Sequence, residues 1–255
     1  MKGLLLKEWA LYKSWLFVST LMGIGAVLIL PLILERYLLT SVSIYEMRII
    51  LLFFMLGISM INCVTQFRTS LHADYLKKDM WLHNSHKMYT LIGVKFLFSI
   101  VIYLVGNVII TTAGIYFLSE ILVGSLLQLF VLQLLFLIFL LFAGVLVNIG
   151  WLFVWTLYLE GKYWIGKFSL ITTVAISFLL VSLLSKLLSF LPLEKVLYQG
   201  EISLNFIEEH LPTFTTSDFN LDLGSVYIIE ELLSWIIFVL LFWGICKWLE
   251  RVVTR

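Results

Sequence analysis

Charge is scarce in this sequence: 13% of its 255 residues are Asp, Glu, Lys or Arg, against about 25% in an ordinary soluble domain. In its place stand 62% hydrophobic residues and a mean hydropathy of +1.05. A globular chain has roughly 45–50% apolar residues, so a soluble core is excluded. Cysteine is nearly absent. Cys63 and Cys246 fall in the inner halves of apolar runs, read as small buried apolar residues with no disulfide expected. Also missing are H-E-x-x-H, G-x-S-x-G and any pair of carboxylates inside an apolar run. Those patterns carry metal-assisted or nucleophilic chemistry, so the chain is not expected to be an enzyme or to hold a metal or cofactor.

What the sequence has instead is length of apolar run. About 20 apolar residues are needed for a helix to cross 30 Å of hydrocarbon, and six windows qualify: 14–34, 48–67, 95–118, 126–155, 170–190 and 232–248. These predict an all-α polytopic membrane protein. The fourth window is long enough to tilt or break, and Gly144 and Gly150 are the expected places. The first window follows Lys2, Lys7 and Lys13 but is too long for a signal-peptide core, lacks an A-x-A-type cleavage site and is followed by further spans. The N-terminus is therefore read as retained.

Basic residues near span ends stay cytoplasmic. With the N-terminus inside, every Lys and Arg except Arg36, Arg48, Lys186 and Lys195 falls on the inner side. Of the acids, Glu8, Asp74, Asp79, Glu160 and Glu250 are inner and the rest outer. The net charge of +1 thus conceals a dipolar arrangement. The expected location is a bacterial cell membrane, crossed several times with both termini cytoplasmic.

The segments between spans are less uniform. Residues 1–13 carry Leu5, Trp9 and Tyr12 at helical spacing, which predicts an interfacial helix lying in the headgroup plane; a frayed basic tail is the alternative. In the inner loop 68–94, Leu71, Tyr75, Leu76, Met80 and Leu82 share one half of a helix, interrupted by Asp79. Asp74, Lys77, Lys78 and Trp81 occupy the other half. A polar face that keeps a Trp fits a helix pressed into a groove on a cytoplasmic partner, while the plain alternative is a loop joining two spans. The outer segment 191–231 sets eight acids, among them Glu201, Glu208, Glu209, Asp218 and Asp222, against Lys195 alone. It also holds too many apolar groups to float in water, so part of it is expected to pack on or dip into the outer leaflet. Its acids either receive cationic cargo or complement the inner positive bias.

Three motif-like patterns fail on inspection. Gly161–Phe168 imitates a phosphate loop, yet Phe168 stands where a Mg²⁺-binding hydroxyl belongs and no strand precedes it. Asp218–Gly224 has Leu223 at the sharp-turn glycine of a calcium loop, and Glu230 comes one position too late. His72, His83 and His86 lack the further close ligands of a metal set. Inside the spans the polar residues are mostly neutral, among them Asn62, Gln66, Asn107, Thr111 and Asn148, and no ionisable group sits near a span centre. Ion-coupled carriers keep ionisable groups at mid-membrane, so energy coupling must come from elsewhere.

Across its whole length the chain resembles the ABC-2 type permease family, exporters with six spans per subunit. The likeness is carried by M-K-G-L-L-L-K-E-W at the start, the long outer segment between the last two windows, and above all D-Y-L-K-K-D-M-W-L-H-N-S-H-K-M-Y-T-L-I-G-V-K-F from Asp74. That stretch is similar to the family's charged helix, turn, and lysine entering the third span. Many members carry Pro in the turn where this chain has Asn84; Asn-Ser is itself a turn former. The resemblance implies a single permease domain over 1–255, a second permease chain, identical or similar, and a separate ABC ATPase subunit. Asp74, Lys77, Lys78, Asp79 and Trp81 would contact that ATPase, and the segment 191–231 would cap the exit path. No nucleic acid is expected as a partner. The competing readings are a membrane assembly or sensor protein that recognises a ligand with its acidic outer segment, and a secondary carrier or membrane enzyme.

Overall fold

The computed structural model describes residues 2–38, 44–76, 87–118, 122–190, 199–204, 207, 210–211, 213–214 and 224–254. Almost all of them are helical. In order they form α1 (Lys2–Leu38), α2 (Ile44–Tyr75), α3 (Met88–Leu118), β1 (Leu122–Val123), α4 (Leu126–Ile165), a 3₁₀ turn (Gly166–Phe168), α5 (Ser169–Phe190), β2 (Glu201–Ser203), β3 (Thr213–Phe214), β4 (Ser225–Tyr227) and α6 (Ile228–Thr254). Apolar runs of this length become helices because lipid offers no partner for backbone polar groups, and a helix pairs them within itself.

Among the described residues, five segments are long and apolar enough to cross a membrane: Leu5–Leu34, Met47–Tyr75, Met88–Leu118, Leu126–Leu183 and Ile228–Thr254. The fourth, of 58 residues, takes in α4, the 3₁₀ turn and α5 as far as Leu183, where two spans were expected. The expected break at Gly144 or Gly150 does not occur, since α4 runs unbroken through both. A Cβ on Gly144 would stand 3.0 Å from Tyr103 Cε1, so this glycine serves close helix packing. The chain turns at Gly166 instead, where φ is +63°, a left-handed conformation that costs a residue with a Cβ about 1–2 kcal/mol. Past it α5 doubles back: a Cβ on Gly161 would lie 3.4 Å from Ser169 Cβ and 3.8 Å from Thr173 Oγ1. Gly166→Ala is expected to lower unfolding stability by about that 1–2 kcal/mol, read as a lower Tm in detergent. The inner connection expected over 156–169 is accordingly the end of α4 and a tight turn.

The predicted interfacial helix is not a separate element. Residues 2–13 are the opening turns of a 37-residue helix, with no breaker before the apolar run. Glu8 and Tyr12 are buried, while Leu5 and Trp9 are exposed. The start of α4 follows from its sequence: the Ser125 hydroxyl accepts from Gln128 N, and the Gln128 side-chain carbonyl accepts from Ser125 N at 2.7 Å, a capping box.

Contacts group the chain into two compact units. One comprises residues 1–73, 93–145 and 205–222, the other 74–92, 146–204 and 223–255. In the first, Val27, Phe67, Leu71, Ile102 and Leu140 are buried, and β1 pairs antiparallel with β3, Leu122 opposite Phe214. In the second, Leu152, Leu159, Ile245, Cys246 and Leu249 are buried. There β2 pairs antiparallel with β4, Ile202 opposite Val226, and α6 begins at Ile228, four residues before the expected 232. Phe178, Val181, Ile236, Val239 and Leu240 remain exposed, as fits side chains whose solvent is lipid.

Candidate functional site

In the first unit, three pairs of residues at helical i, i+4 spacing meet: Glu8 and Tyr12 on α1, Gln66 and Ser70 on α2, Lys95 and Ser99 on α3. Such pairs lie one above the other on a single face. The Lys95 ammonium donates to Glu8 Oε1 at 2.8 Å and to Ser70 O at 3.1 Å, and also contacts Ser70 Oγ. Ser70 Oγ in turn donates to Glu8 Oε2 at 2.7 Å. All three ammonium protons and both carboxylate oxygens therefore have partners. One turn further along, the Tyr12 hydroxyl donates to Gln66 O at 2.6 Å, and the Cys63 thiol faces Ser99 O at 3.7 Å.

The two charged side chains are each 1% exposed. Several kcal/mol of desolvation per ion accompanies such burial, offset only when geometry is good and the remaining lone pairs and protons are bonded. Here the ion pair is short, and Ser70 adds a bond to each partner. The cluster thus clasps the N-terminal ends of α1 and α3 to the C-terminal end of α2.

At the other end of α2 and α3, Arg48 Nη1 donates to Phe117 O at 3.1 Å. Its guanidinium lies 5.6 Å from the Phe117 ring centroid. Arg48 therefore occupies one of the orphan carbonyls of the last turn of α3. With the Lys95 clasp at the opposite end, α1, α2 and α3 alternate in direction. The second unit has a clasp of its own: Glu160 accepts from Trp248 Nε1 at 2.9 Å and from Trp164 Nε1 at 3.1 Å.

The residues singled out from the sequence are placed differently. Asp74 is buried in the last turn of α2, not displayed on an exposed polar face, while Leu76, assigned to the apolar half, is 71% exposed. Lys77, Lys78, Asp79 and Trp81 lie outside the described residues. Of the outer acids, Glu201 is exposed at the start of β2, and Glu208, Glu209, Asp218 and Asp222 lie outside the described residues. His72 is exposed, and no group of metal-ligating side chains occurs among the described residues. No family model, curated protein or solved structure matches the chain. The assignment of a role therefore rests on the residues themselves.

Sequence reasoning missed the Glu8–Lys95 pair. Its signal was a lysine six residues inside the apolar stretch that opens at Tyr89; an ionisable side chain there implies a partner.

Proposed function

We propose that this chain is the membrane-spanning permease subunit of an ATP-driven exporter, coupled to a separate ATPase and paired with a second permease chain. In this reading the 58-residue apolar stretch crosses twice, giving six crossings with both ends cytoplasmic in a bacterial cell membrane. The observation that carries the proposal is where ionisable groups fall along the helices. Residues 14–34, 49–67, 96–118, 126–159, 169–185 and 232–246 contain no Asp, Glu, Lys, Arg or His. The Glu8–Lys95 pair sits about 10 Å from the helix starts, and its groups are engaged with one another. A bundle without a mid-membrane titratable group lacks the usual device of ion coupling, which favours an external ATPase. The likeness of Asp74–Phe96 to the family's coupling region supports the same reading.

An ABC ATPase gene is expected beside the gene for this chain, and co-expression of the two is expected to yield a stable complex on affinity purification. Lys77→Glu combined with Trp81→Ala is expected to abolish substrate-stimulated ATP hydrolysis while the chain still inserts. Unchanged stimulation in the double variant overturns the coupling role. Transport that survives ATP depletion but stops when the proton gradient collapses overturns the exporter reading.

A further inference from the structure

Between α1, α2 and α3, within the first unit, lies a cavity of about 30 Å³ lined by Thr20, Ser59, Asn62, Gln66, Tyr103 and Asn107 among others. Thr20, Gln66 and Tyr103 are 8%, 5% and 4% exposed. Their Oγ1, Oε1 and hydroxyl oxygen make no hydrogen bond to protein groups. The Tyr103 hydroxyl lies beside Ser59, whose Oγ is engaged with Leu56 O at 2.7 Å and Asn107 Oδ1 at 2.9 Å.

Thr20 departs from the habit of its neighbours. The hydroxyls of Thr65, Thr69, Thr111, Thr112 and Thr156 return to the carbonyl four residues back, at 2.6–2.8 Å. That is the usual way a helix satisfies threonine in a medium without water. Thr20 does not take it, although the same carbonyl lies on its own helix.

We infer that this cavity is a water site, holding one or two ordered molecules that bond Thr20 Oγ1, Gln66 Oε1 and the Tyr103 hydroxyl. A buried water needs roughly 10–15 Å³ of accessible space and two to four polar partners, and the cavity supplies both. Its lining carries hydroxyls and amides but no carboxylate or cationic group, which suits a neutral ligand able both to donate and to accept. The water joins the three helices through a bond that re-forms as they shift, unlike the fixed clasp of Glu8 and Lys95.

The sign of a stability change tests this. Orphan polar atoms in a dry cavity are a burden, so isosteric apolar replacement raises stability; the same atoms bonded to water lose a partner, and stability falls. Thr20→Val, Gln66→Met and Tyr103→Phe are each expected to lower the Tm of the full-length protein in detergent by about 2–4 °C. A raised Tm in all three overturns the water site, and so does a Tm that rises when choline in the buffer is replaced by sodium or potassium, which assigns the cavity to a cation. Cys63, on the cavity wall, gives a second readout in a Cys246→Ala background. Its S–H infrared band is expected to convert to S–D in D₂O while the protein stays folded; a band that persists until unfolding overturns the proposal.

Discussion

Lys95→Met is expected to lower the stability of the folded protein by about 3–5 kcal/mol, the cost of leaving a buried charge without its partner. For a chain of this size that corresponds to a Tm lower by roughly 6–20 °C in detergent. The substitution keeps the shape of the lysine stem and removes the donors that serve Glu8 Oε1, Ser70 O and Ser70 Oγ. Glu8, with 1% of its side chain exposed, is then left with the Ser70 hydroxyl alone. Combining Glu8→Met with Lys95→Met is expected to recover most of the loss, because replacing a whole buried pair by apolar groups of similar volume is often neutral. Ser70 can turn its hydroxyl to its own helix in the double variant. A single variant as stable as the parent protein sinks the clasp, and a double variant no better than the single shows that packing, not charge, set the loss.

Gly144→Leu is expected to destabilise by about 1–3 kcal/mol, the usual range for overpacking a filled contact. A Cβ there would already be 3.0 Å and 3.3 Å from two ring carbons of Tyr103. That ring is rigid and 4% exposed, so it yields to the added side chain only by shifting buried neighbours. Gly150 provides the contrast on the same helix. Nothing lies within 4 Å of a Cβ placed on it, and Gly150→Ala is expected to stabilise by about 0.5–1 kcal/mol through helix propensity. Thermal unfolding of the two variants side by side checks the pair; equal shifts of the same sign refute the packing role of Gly144.

These two sites show why the sequence was legible to different depths. That the chain is built of long apolar helices follows from apolar length, visible at 14–34 and 95–118; where they end does not, since α1 runs Lys2–Leu38. The turn at Gly166 depends on one backbone conformation, φ +63°, and a glycine's φ leaves no mark on hydropathy. Gly144 and Gly150 look identical in the sequence and differ only in what stands opposite. Glu8 was counted simply among the inner acids; its partner lies 87 residues away, beyond any periodicity. Asp74 was placed on a polar helix face by the 100° rule, and tertiary packing buried it.

The span of 87 residues between Glu8 and Lys95 also has a meaning in time. A ribosome adding about 5–20 residues per second releases the acid roughly 4–17 s before the lysine that neutralises it. During that interval Glu8 has no lysine partner, so a chain stalled before residue 95 lacks the bond that ties its first helix to its third.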